Sequence, residues 1–158
     1  MTNYKTVIYF VSSLILSTIS VQAQIKTYPI QDFNFGTFYQ GLAGGTISIS
    51  STGSRTTTGD IIVLNSWAGN TQAMFDIEAP AGSTISILNG PDVTLAGSNG
   101  GTVTLHLAGT DLGSSFITSA APPARTRINL AGQLIIGNQV VSPPGAYQGT
   151  FTLIFNQE

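Results

Sequence analysis

His106 is the chain's one histidine, and it stands in the run Thr102 to Leu107 among alternating polar and apolar residues. An imidazole acts as a general base only beside a nucleophile or a substrate proton. No Gly-x-Ser-x-Gly turn occurs to supply a serine. The chain has no cysteine, which removes thiolate nucleophiles, thiolate metal sites and disulfides. His106 therefore reads as a solvent-face residue.

Asp76 and Glu78 lie two apart on one expected strand, so both project from the same face. Paired carboxylates across a sugar can act as acid and base, but an alternating strand also places such residues on a plain wet face. Asp60, Asp92 and Asp111 fall at expected turns without the Asp-x-Asp-x-Asp spacing of a calcium loop. No catalytic residue, metal site or cofactor site is assigned, and no enzyme activity is expected. Trp67, flanked by Asn65 and Asn70, is the sole tryptophan. An aromatic face with amides beside it could stack on a sugar ring and hydrogen-bond its hydroxyls. Trp67, Asn65 and Asn70 are the candidate ligand contacts, the other reading being a Trp lid over one end of the fold. Pro122 and Pro123 are expected on an edge or in a loop, with Arg125 and Arg127 sharing a face; the two arginines read as solvated, the alternative being a carboxylate partner. The glycine-rich run Gly97 to Gly101 lies between two strand patterns. A phosphate-binding loop would lead into a helix, which is not expected here.

The elements that must carry these residues alternate with period two. Ile47 and Ile49, Ala73, Phe75 and Ile77, Ile85 and Ile87, Val103, Leu105 and Leu107, and Phe151, Leu153 and Phe155 each alternate with polar neighbours. Such runs have one dry and one wet face, as half-buried antiparallel strands do. Ile61 to Leu64 is continuously apolar and reads as a strand covered on both faces. Breakers at Asn89-Gly90, Asn99-Gly100, Ser51 to Gly59 and Ser142 to Gly145 separate the runs at about 8–12 residues, the spacing of a sandwich or barrel. Phe33 and Phe35 share a face, while Phe38 has the opposite parity. A bulge at Gly36 would return Phe38 to the core. Gly145 and Gly149 flank Tyr147 where the last strand enters, and Tyr147 reads as structural.

The first residues have a different character. Lys5 precedes an apolar run from Thr6 to Ser20, and Val21 and Ala23 supply small residues at a cleavage point. This is the layout of a signal peptide spanning 1–23, with the mature chain 24–158 as a single domain. The expected address is outside the cytoplasm: periplasm, cell surface or extracellular. No later run is long and apolar enough for a spanning helix, so no membrane span is expected after cleavage. Only 8% of the residues are charged, and loss of Lys5 takes the net charge from −2 to −3. Lys26, Arg55, Arg125 and Arg127 are scattered, so no basic stripe exists to bind nucleic acid.

The segments Asp32 to Phe38, Gly44 to Ile49, Arg55, Gly59-Asp60, Ile87 to Leu95, Gly132 to Leu134 and Gly145 to Phe151 together resemble the bacterial secreted domain of unknown function 4402 family. The ending Gly145-x-Tyr147-x-Gly149-x-Phe151 more distantly resembles spore-coat-U and fimbrial subunit domains. The resemblance implies an all-β, immunoglobulin-like antiparallel β-sandwich on an exported protein. It implies no catalytic residue. The expected function is a structural, adhesive or surface-interaction role, fimbrial-subunit-like. The alternative is a carbohydrate-binding module using the Trp67 loop. A protein or glycan at the cell surface is the expected partner. Only Gln24 to Tyr28 precedes Pro29, too short and irregular a stretch to serve as a donated strand, so a self-complete fold is expected.

Overall fold

The computed structural model describes residues 24–64 and 69–158. The expected signal peptide, and Asn65 and Trp67, lie outside the described residues. Within them the chain is all-β and its strand pairs are antiparallel. The strands are β1 (Lys26–Gln31), β2 (Thr37–Ile49), β3 (Arg55–Leu64), β4 (Ala73–Glu78), β5 (Thr84–Asn89) and β6 (Val93–Gly97). They continue with β7 (Thr102–Thr110), β8 (Ser115–Ile117), β9 (Thr126–Ile136), β10 (Tyr147–Gln148) and β11 (Leu153–Gln157).

An eight-stranded sheet runs β1-β4-β9-β7-β6-β10, with β2 joined to β9 and β3 to β2; β11-β5-β8 form a three-stranded sheet. β9 is the spine. One of its edges pairs with β7, from Val103 opposite Ile136 to Thr110 opposite Leu130. Its other edge is shared, with β4 along Thr126 to Leu130 and β2 along Gly132 to Ile136. Gly132 sits at that handover because the Phe33 ring lies against it. A Cβ there would meet Phe33 Cζ at 2.8 Å.

Alternation places Ile47, Ile49, Ala73, Leu130, Leu134, Ile136, Val103, Leu105 and Leu107 in one buried cluster. Ile77 and Ile128 meet Ile87 of the small sheet in a second cluster, joined by Phe116, Leu153 and Phe155. Each fully buried Ile or Leu contributes about 1.5–3 kcal/mol relative to exposure. In the absence of disulfides, this packing is the principal source of cohesion.

Several local expectations change. Ile61 to Leu64 is not covered on both faces: Ile61 is buried, whereas Ile62 on the opposite face is 59% exposed. Gly36 does not form a ladder bulge. It has φ +76° and separates the isolated Asn34–Thr71 bridge from the start of β2. Phe38 nevertheless packs against the core. Gly90 is needed for close approach rather than for positive φ. Its N–H donates to the Thr152 carbonyl at 3.0 Å, and a Cβ would lie 2.6 Å from that oxygen. Among the described residues, the interior is open on one side.

Candidate interaction groove

The opening lies between two stretches of chain. One wall is Asp32 to Gln40. Backbone bonds between Asn34 and Thr71 (2.9 and 2.8 Å) anchor it. Thr71 Oγ1 donates to the Asp32 carbonyl at 3.0 Å, and Arg55 Nη1 to the Phe35 carbonyl at 3.0 Å. The Asn34 side chain accepts the Gly36 N–H at 2.8 Å, which sets the turn into β2. The other wall is Pro143 to Leu153. Asn99 Nδ2 donates to the Pro144 carbonyl at 2.7 Å, and the Ser98 N–H to the Ala146 carbonyl at 2.8 Å. The Tyr147 hydroxyl donates to the Pro143 carbonyl. Burial pushes the Tyr147 hydroxyl above the ordinary tyrosine range. Gly97 leaves room for its ring, since a Cβ there would stand 2.7 Å from Cε1. Gly149 lies over Leu95, whose Cδ2 would be 2.5 Å from an added Cβ.

The groove encloses about 1130 Å³, with Leu95, Leu105 and Leu134 of the large sheet among its lining residues. The rings of Phe35, Phe33, Phe151, Phe75 and Phe155 follow one another at centroid separations of 5.5, 5.6, 6.2 and 6.0 Å. Gln40 and Gln139, both lining residues, bond across to the Gly137 and Gln40 carbonyls. Asp32 is the one charged lining residue. The chemistry available is therefore apolar contact plus hydrogen bonding by uncharged polar groups along the rim.

The other candidates are dispersed. Asn70 donates through Nδ2 to the Gly53 carbonyl at 2.7 Å, which commits its amide to a turn. His106 Nδ1 meets Asp92 Oδ1 at 2.7 Å, with both side chains about half exposed. Asp111 accepts from the Asn129 backbone N–H and side-chain amide at 2.9 and 2.6 Å. The carboxyl of Asp60 lies over Gly41. Among the described residues, no three histidine or acidic side chains gather as a metal centre would require.

Asp76 and Glu78 do share a face, but they meet cations rather than open solvent. Arg127 holds Asp76 in a two-pronged bond at 2.9 and 3.1 Å. That bond keeps the Asp76 carboxyl below its ordinary pKa, against a smaller opposing effect of burial. Glu78 lies 3.6 Å from both Lys26 Nζ and Arg125 Nε, and accepts the Tyr28 hydroxyl at 3.3 Å. The Arg125 guanidinium stacks 3.6 Å above the Tyr28 ring. The two arginines stay partly solvated, as expected, and also clasp β4 and β1. The cue lay in their opposite charge to Asp76 and Glu78. What a single chain segment lacks is the pairing of β9 with β4 that makes Arg127 face Asp76.

Ser142, which in sequence reads only as the start of a turn, holds two stretches of chain together. It is fully buried, donating to the Thr102 carbonyl at 2.6 Å and accepting the Gly137 N–H at 3.1 Å. Lying in a Ser-Pro-Pro-Gly run, it carries only a turn signal in sequence.

An antiparallel β-sandwich with a long apolar groove between two main-chain walls defines the general class. The family follows from a match over residues 24–156 to the model described as Domain of unknown function (DUF4402), and the chain belongs to that family. No curated protein and no solved structure matches it.

Proposed function

We propose that this is an exported, non-catalytic interaction protein with a structural or adhesive role, engaging a macromolecular partner at the cell surface through the groove. The observation that carries the reading is the groove itself: about 1130 Å³ of largely apolar space left beside an otherwise packed core. Apolar surface of this extent costs stability unless something covers it, so it marks an interaction site. The leader pattern before Gln24, with the family match beginning at Gln24, supports export. The fimbrial-like part of the proposal rests on the Tyr147 ending and the sandwich class.

The test is photo-crosslinking in a bacterium that expresses the full chain. A photoreactive residue replaces Gln148, exposed on the groove wall, or Thr56, exposed on β3 and away from the lining. The expected result is a processed chain outside the cytoplasm, with discrete adducts from position 148 and none from 56. Retention of the whole chain in the cytosol, absence of adducts, or equal adducts at both positions would overturn the reading.

A further inference from the structure

Resting on that reading of the groove, we infer that its occupant is an extended, uncharged polypeptide segment of about nine residues that adds as a strand between the two walls. The wall geometry carries this. Asp32 to Gln40 and Pro143 to Leu153 both line the groove. Each run includes a short strand edge beside the space, Phe38–Gln40 of β2 and Leu153 at the start of β11.

Among the described residues, neither edge is closed by another strand. β2 joins β9 only from Gly45 onward, so Phe38–Gln40 has β3 as its single strand partner. β10 pairs only with β6 and β11 only with β5. A polypeptide satisfies such edges, with side chains on one of its faces reaching the apolar floor. An extended segment matching the nine positions Tyr147 to Phe155 would be about 30 Å long at ~3.3 Å per residue.

The lining chemistry narrows the occupant further. A fatty acid would bring a carboxylate, and among the described residues no cation lines the groove to meet it. An acidic peptide would face Asp32 unpaired, so alternating apolar and uncharged polar residues suit the site. A second copy's N-terminal stretch is a poor occupant. Lys26–Gln31 is already paired with β4 and clasped through Glu78, and Pro29 removes a donor.

The test uses a capped nine-residue peptide alternating Val and Thr, read by amide hydrogen exchange and by sedimentation. Controls are the same composition in block order, a version with a central Pro, and laurate. The expected result is about tenfold or greater slowing of exchange in Phe38–Gln40 and Thr150–Gln157 with the alternating peptide alone, since edge pairing needs free N–H groups. Thr150→Trp fills the groove from an exposed position and abolishes the effect, whereas Thr56→Trp does not. Matched thermal unfolding of the two variants verifies folding. The inference falls if exchange is unchanged, if the block or Pro peptide works equally, or if laurate gives the same protection. It also falls if the protein alone sediments as a dimer with those amides already protected. Adducts from position 148 alongside an inactive peptide would sink strand addition and leave the interaction reading standing.

Discussion

Ser142 shows how a residue with no chemical role can hold the groove wall in place. Its hydroxyl links the Thr102 carbonyl in β7 to the Gly137 N–H just after β9, at the root of the stretch leading to Tyr147. Removing it leaves a donor and an acceptor without their partner in a dry site. Ser142→Ala is expected to destabilise the fold by about 1–3 kcal/mol, read as a lower denaturant midpoint. An unchanged midpoint would mean that water or a local shift replaces both bonds. Tyr147 belongs to the same wall, and its ring fits only because Gly97 presents no side chain. Its structural reading was available from the flanking glycines. Its partner, the Pro143 carbonyl, depends on how the intervening turn folds.

Among elements, the β4–β9 ladder converts two scattered charges into a pair. Asp76 and Arg127 are directly opposite in register. Arg127's hydrogen bond lowers the Asp76 pKa in the fold, so the pair's contribution is fully present above the ordinary carboxylate pKa. It is lost as pH falls through the folded value. Comparing Asp76→Asn with the parent by thermal unfolding should show a deficit at pH 7 that shrinks toward pH ~3. The deficit stays small because water screens the pair. A deficit that grew on acidification would refute the assignment. β3 illustrates a different limit of local reading. Four apolar residues in a row suggested cover on both faces, but Ile62 and Leu64 face outward on a strand with one partner. A continuous apolar run reports neither which neighbour a strand has nor how many.

At the scale of the whole molecule, β9 binds together segments far apart in the chain. Gln133 alone reaches Ser48 across 85 residues. Little of this sheet can form from local contacts, and loop closure must precede most of its pairing. Stopped-flow refolding of residues 24–158 is therefore expected in the millisecond-to-second range, about that of other β-sandwiches. Submillisecond refolding would show that local structure dominates instead. The open groove is a property of this scale as well. The large sheet has more strands than the small one can cover, and the walls on either side of the gap belong to stretches about a hundred residues apart.

Period-two alternation, punctuated by glycine and proline, determined the strand class and most of the buried set, because a strand's two faces are written into adjacent residues. The leader pattern and the missing cysteines likewise needed no fold to be read. Tertiary structure alone decided that Arg127 faces Asp76, that Ser142 is buried, and that the second layer stops short of closing. Strand order and register link distant residues through hydrogen bonds that leave no mark on either segment by itself, and the groove is the space that this order leaves unfilled.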